Sequence, residues 1–150
     1  MDYGLYNANE TISSKLKASG INRVTFGDPS EFDQNKNGVM PYSHMVLDGS
    51  LMRDATHVYN YRIWVADLVD SNNISSREVF NSLTLSDNKE DIFHDLAQIV
   101  NKFKSLIRQD LDIIESTNEI DLSTIGETGQ NALIGYEFTF SITVEAPSIC

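Results

Sequence analysis

The most regular pattern in the chain lies near its end, where Ile134, Tyr136, Phe138, Phe140, Ile142 and Val144 alternate with Gly135, Glu137, Thr139, Ser141, Thr143 and Glu145. A period of two sustained over this length predicts a strand with one apolar and one polar face. A second strand is predicted from about His57 to Val69, with Tyr59, Tyr61, Ile63 and Val65 on one face and Asn60, Arg62 and Trp64 on the other. Both of its faces have something to bury or contact, which places it centrally in a sheet. Shorter strands are expected at Ile21–Phe26, Tyr42–Asp48 and Leu111–Glu115. Asp48-Gly49 is a turn signal, and the eight residues from Gly49 to Thr56 make a connection longer than a tight hairpin.

Spacings of three and four mark the helices. Leu5, Ala8, Ile12 and Leu16 form one face of a short amphipathic helix, and Gly20 stands where a C-terminal cap would end it. Ser75 to Glu78 fits a capping box ahead of a short helix carrying Val79, Phe80 and Leu83. Asp87 and Glu90 repeat that device before the main helix, whose stripe runs through Ile92, Phe93, Leu96, Ile99, Val100, Phe103, Leu106 and Ile107. Asp91 and Asp95 lie near its positive end, and Lys102, Lys104 and Arg108 near its negative end, as the helix dipole favours. Roughly 22 residues at ~1.5 Å each give a rod of about 33 Å, long enough to lie across a whole sheet. Gly27 to Gly38 and Ser116 to Asn131 are polar, with few apolar anchors, and read as loops.

These elements predict a single α+β domain spanning residues 1–150. Its core is a mostly antiparallel sheet of about four to five strands. A long helix from the C-terminal half and the shorter N-terminal helix pack on one face, and the other face is open and polar. With 150 residues the chain is long enough for a core of its own, and an apolar share of 41% is too high for disorder.

Charge adds an asymmetry to this picture. The net charge is -11, yet Met1 to Arg108 holds 14 acids against 11 bases, whereas Gln109 to Cys150 holds 8 acids and no Lys or Arg. The acidic balance argues against a protein that grips nucleic acid through its phosphates. The base-free stretch reads either as a solvated acidic flank or as a surface selected to repel phosphate or to meet a basic partner. Cys150 is the only cysteine, so no intrachain disulfide is possible, and an intracellular protein is the expectation. Met1-Asp2-Tyr3-Gly4 lacks the basic and apolar regions of a secretory signal, and the apolar stretches are too short to span a bilayer; neither secretion nor membrane insertion is expected.

Candidate chemistry is sparse. Asp33-Gln34-Asn35-Lys36-Asn37-Gly38 matches the first half of a calcium loop, but position twelve is His44 rather than Glu and Pro41 intrudes, so a flexible Asn-rich loop is the simpler reading. His44 and His57 fall in adjacent predicted strands and could approach each other, with no third ligand spaced near them, and His94 lies on the polar side of the main helix. Asp67 and Asp70 could form an acid/base pair, although such residues more often close a strand and start a turn. No nucleophile elbow or phosphate-cradling loop is present, and no metal or cofactor is expected. Tyr59, Tyr61 and Trp64 suit core packing, and also subunit contacts, where Tyr and Trp are enriched.

Pro41-Tyr42 opening a strand, the run from Tyr59 to Val69, Glu78-Val79 in a helix soon after, Gly135-Tyr136-Glu137-Phe138 in the terminal strand, and the ending Ala146-Pro147 with Cys150 form a set of local phrases. Together they resemble the small neck and tail-completion proteins of tailed bacteriophages, the tail-terminator-like group. The likeness covers most of the chain. The stretch from Asn81 to Lys89 departs from it by breaking what is often one continuous helix. The resemblance implies a structural virion protein, made in the host cytoplasm, that forms a closed ring (hexamer or dodecamer) at the head-tail junction, as tail terminator or neck ring. DNA would pass through the lumen without sequence-specific binding, portal, neck or tail-tube proteins would be neighbours, and no catalytic residue carries over.

Under this reading Glu137, Thr139, Ser141, Thr143 and Glu145, with the acidic loop Glu115 to Asp121, are expected to face the channel or an axial neighbour. The rival reading is a stand-alone acidic protein-binding module without catalytic activity, using the Asn-rich loop or the open sheet face. A small hydrolase built on Asp67 or Asp70 is the weakest alternative.

Overall fold

The computed structural model describes residues 4–31, 40–69, 89–128 and 133–146. The expected capping box and helix around Val79, the half calcium loop, Asp70, Asp87 and Cys150 lie outside these residues. The order of elements is α1 (Leu5–Ser19), β1 (Arg23–Phe26), a 3-10 turn (Pro29–Glu31), β2 (Tyr42–Met52), β3 (Thr56–Leu68), α2 (Lys89–Arg108), β4 (Ile113–Ser116), β5 (Ser123–Thr128) and β6 (Leu133–Glu145). The architecture is α+β, as the periodicity implied.

Helix α1 buries Ala8, Ile12 and Leu16. It ends where the chain turns at Gly20, whose φ of 123° suits a residue without a β-carbon. The Gly20 amide reaches the Lys17 carbonyl at 3.2 Å and the Ile21 amide reaches the Leu16 carbonyl at 3.1 Å, the two bonds of a Schellman stop. Ile21 thereby drops into the core instead of starting the strand, which begins two residues later than its sequence suggests. Helix α2 runs 20 residues, about 30 Å at ~1.5 Å per residue. It carries Glu90 and Asp91 in its first turn and Arg108 in its last, and buries Ile92, Leu96, Val100, Phe103 and Ile107.

Among the described residues the sheet has six strands rather than four or five. Its order is β1-β2-β3-β6-β4, with β5 also pairing β6. It is mixed: β1 runs parallel to β2, and the remaining pairs are antiparallel. The sixth strand, β5, lies inside the stretch that reads as a polar loop. It has one sizeable apolar side chain, Ile125, and is held by its register with β6. The expected long link between β2 and β3 is also replaced. Asp48 and Gly49 do not turn the chain but sit in a bulge between Leu47 and Gly49, and β2 continues to Met52, leaving a connection of residues 53–55.

Strand β3 lies between β2 and β6, the central place predicted for it. Tyr59, Tyr61, Ile63 and Val65 join Ile134, Phe138, Phe140, Ile142 and Val144 of β6 in one cluster with the apolar faces of both helices. Phe103 of α2 meets Phe140 at 5.0 Å and Phe138 at 6.4 Å between ring centres, both tilted. The Tyr61 hydroxyl donates to Asn9 Oδ1 at 2.7 Å, tying α1 to the middle of the sheet.

Candidate functional site

Alternation along β2, β3 and β6 sends every second side chain to the face away from the main cluster, and register aligns them in rows. Tyr42 stands opposite Ala66 and Ala66 opposite Gly135; the next rows are His44, Trp64 and Glu137, then Val46, Arg62 and Thr139. Asn60 then faces Ser141, and Leu51, Val58 and Thr143 follow. The five residues Glu137, Thr139, Ser141, Thr143 and Glu145 therefore share one face of one strand.

That face is not uniformly open and polar. At its Tyr42 end a second buried cluster forms from Tyr42, Val46, Trp64, Ala66 and Leu133, with Met40 and Ile125 against it. His44 is fully buried there and stacks on Trp64 at 5.7 Å with 12° between the rings. Its Nε2 lies 2.9 Å from the Asp28 carbonyl oxygen, which can only accept, so Nε2 carries a proton. Nδ1 is 2.7 Å from Thr25 Oγ1, itself 2.7 Å from the Tyr42 hydroxyl. In a neutral ring the Tyr42 hydroxyl donates to Thr25 and Thr25 donates to Nδ1, so the chain closes with every member satisfied. The Asp28 carboxylate accepts from the amide and hydroxyl of Ser30, which hold its pKa below the ordinary range. This group anchors the 28–31 turn to the sheet.

Further along the same face Arg62 takes over. Its Nη2 is 2.9 Å from Asp48 Oδ1 and its Nε 3.3 Å from Asp48 Oδ2, a two-point grip that keeps the guanidinium above its usual pKa. Glu137 Oε1 lies 3.8 Å from the same Nε, and the guanidinium sits 5.6 Å from the Trp64 ring centre. The bulge is what delivers Asp48 to Arg62, since it sets an extra residue beside the β3 register.

Beyond Arg62 the face is hydroxyl-rich. Thr139 and Glu145 are exposed, while Glu137, Ser141 and Thr143 are half-buried. The Ser141 hydroxyl donates to Asn60 Oδ1, and the Ser141 amide donates to Thr117 Oγ1 at 2.8 Å. A recess of about 230 Å³ opens here between Arg53, Val58, Glu115, Thr117, Ser141 and Thr143. Glu115, Glu119 and Asp121 of the expected acidic loop are exposed, with Glu115 inside β4 and bordering the recess.

The remaining candidates do not converge. His44 pairs with Trp64 whereas His57 pairs with Met52, about 23 Å apart along β3 at ~3.3 Å per residue and on opposite faces. The two histidines thus fail to approach, because the hairpin register offsets them. His57 instead meets Tyr59 edge-on, and His94 is exposed. Asp67 sits on the helix side near Asp95. Burial raises its carboxyl pKa, Asp95 adds to this, and the bond from the Leu68 amide opposes it. Among the described residues no three His, Cys, Asp or Glu side chains gather closely enough to hold a metal ion, and no helix is long and apolar enough to cross a membrane.

The buried His44-Trp64-Tyr42 group and the Asp48-Arg62 pair are the features sequence reasoning missed. The signal for the first was the second alternation, Tyr42, His44 and Val46 facing Trp64 and Ala66, which marks a strand pair apolar on both faces. No family model matches this sequence, and no curated protein does.

Proposed function

We propose that the chain is a structural virion protein of a tailed phage that forms a closed ring at the head-tail junction, as tail terminator or neck ring, with DNA passing through its lumen. The observation that carries this reading is the gathering of the base-free segment on one side of the sheet. Strands β4, β5 and β6 are neighbours, so Glu115, Glu119, Asp121, Glu137 and Glu145 gather there with no Lys or Arg from their own segment, while Asp110 and Asp112 lie against α1. The cations near them come from outside it: Arg62 lies 3.8 Å from Glu137, and Arg53 and Arg108 border recesses beside Glu115. Such a wall, with acids in excess, offers DNA few cations to replace its counterions, so the polyanion passes with little adhesion.

In this reading Glu137, Thr139, Ser141, Thr143 and Glu145, with the acidic stretch 115–121, face the channel or an axial neighbour, and the helices cover the other face. A head-to-tail contact closes the ring, with six or twelve copies. Portal, neck or tail-tube proteins stack above and below. The role is mechanical and needs no catalytic residue or cofactor; the chain is made in the host cytoplasm and resides in the virion.

Electron microscopy of the purified full chain, with its native mass, tests the reading, as does labelling of the chain in phage particles. Closed rings with an axial channel and a label at the neck are the expected result. A stable monomer that captures basic proteins and is missing from particles would overturn it in favour of the acidic binding module.

A further inference from the structure

At the hairpin end of the sheet four strands lie side by side, and one row crosses them all: Met52 stands opposite His57, His57 opposite Val144, and Val144 opposite Ile113. Both ends of this row are open edges. Strand β1 accompanies β2 only as far as Met45, so the outer edge of residues 47–52 has no ladder partner among the described residues, and β4 pairs with β6 alone. Each edge carries large apolar side chains that the molecule leaves uncovered. Leu51 is 49% and Met52 73% exposed at one edge, and Leu111 is 99% and Ile114 61% exposed at the other. Three strand spacings of ~4.8 Å put the two edges about 14 Å apart, too far to cover each other within one molecule.

Each edge also carries a charge without an ion pair among the described residues. The hairpin tip carries Arg53, which makes no ion pair among the described residues, next to Asp54. The β4 edge carries Asp112 and Glu115, with Arg108 beside them bonded to Asn118 at 2.9 Å; the exposed Glu115 borders the same recess as Arg53 and is likewise without an ion pair among the described residues. A hairpin tip and a β4 edge of two copies can therefore pair, Arg53 against Glu115.

We infer that Leu51, Met52 and Arg53 of one copy pack against Leu111, Ile114 and Glu115 of a second copy in a head-to-tail contact; this rests on the ring reading and names its interface. One such contact covers both apolar patches and sets Arg53 against Glu115. It leaves the same two patches free at the ends of the pair, so it repeats until the rotation closes a ring. The contact is made by side chains rather than by a continuous ladder. Bulges at Asp48 and Ile114 interrupt both edges, and such bulges blunt strand addition while re-aiming the extra residue.

The test is a full-length chain with Met52→Cys and Ile114→Cys on a Cys150→Ser background, oxidised and run under non-reducing conditions. Within one chain the two sulfurs cannot join, because a disulfide needs Cα atoms within about 7 Å. The double variant is expected to give a ladder of covalent trimers and larger species, a mixture of the two single variants dimers, and each single variant alone monomers. Dimers from Met52→Cys alone would overturn the contact in favour of a symmetric one. Rings without a ladder would overturn it while the ring reading stands, and a ladder that never closes would keep the contact and remove the ring. In the cysteine-free background, Arg53→Glu and Glu115→Arg are each expected to weaken self-association about tenfold and together to restore it; failure of the pair to restore it, or a wild-type chain that stays monomeric, overturns the inference.

Discussion

Gly135 of β6 stands opposite Ala66 of β3 so closely that a β-carbon on it would lie 2.9 Å from the Ala66 Cα and would overlap the Val65 carbonyl oxygen. The obstacle is backbone in the central strand pair, which cannot swing aside as a side chain would. Gly135→Ala is therefore expected to force β6 away from β3 and cost about 3 kcal/mol, the upper end for overpacking. Gly126→Ala, with nothing within 4 Å of the added carbon, is the control and should change stability by less than about 0.5 kcal/mol. Urea unfolding of the two variants decides the point, and equal midpoints would refute it.

The bond between Tyr61 and Asn9 joins β3 to α1. Tyr61 is 1% exposed, so its hydroxyl depends on the Asn9 oxygen 2.7 Å away. Tyr61→Phe should cost about 1 kcal/mol, and Asn9→Ala, which strands a buried donor, up to about 3 kcal/mol. Burial, with Tyr59 adding to it, pushes the Tyr61 phenol above its ordinary pKa. A folded pKa above the unfolded one means that the stability is complete below about pH 10 and falls as pH rises beyond it through the folded value. The alkaline limb of a stability-pH profile should consequently be shallower in Tyr61→Phe than in the wild type.

Asp67 supplies a titration at the other end of the scale. Its carboxyl pKa is raised mainly by burial and further by Asp95, so ionising it costs more in the folded chain than in the unfolded one. Its contribution is complete below about pH 4 and is lost as pH rises through the folded value. Asp67→Asn should be more stable than the wild type at pH 7 and indistinguishable from it near pH 3. Chemical unfolding at the two pH values checks this, and a pH-independent difference would show that the gain is packing rather than charge.

What was legible in the sequence follows from how each element is stabilised. Strand β6 and the helices announce themselves because burial against the core imposes a strict period, visible in Phe138, Phe140 and Ile142 or in Leu96, Val100 and Phe103. Strand β5 does not, because Ser123–Thr128 is held through its ladder with β6, and a hydrogen-bonded ladder leaves no mark on side-chain pattern. Asp48-Gly49 misleads for a related reason: the residues that favour turns also favour bulges, and only the Arg62 partner across the strand pair distinguishes them. His44 reads as a candidate ligand in isolation. Its role as a buried hydrogen-bonding group depends on Thr25 and the Asp28 carbonyl, which reach it through the parallel pairing of β1 with β2 and the turn that follows.

The proposed channel role makes a prediction of its own sign. Thr139 and Glu145 are exposed on the face proposed to meet DNA, and the segment that carries them contributes no Lys or Arg. Replacing both with lysine introduces up to two phosphate contacts per copy, multiplied around a ring. Each phosphate neutralised adds about 0.9 to the slope of log affinity against log salt for duplex DNA, so even a few contacts make binding strong at low salt and weak at high salt. The wild-type chain should show no retention of duplex DNA in a low-salt gel shift. The Thr139→Lys, Glu145→Lys variant should retain it and release it steeply as salt rises, and phage carrying the variant should eject DNA more slowly. If the variant assembles normally yet neither binds DNA nor slows ejection, the face carrying Thr139 and Glu145 does not line the channel, and the acidic side must be assigned to a contact with a neighbouring protein instead.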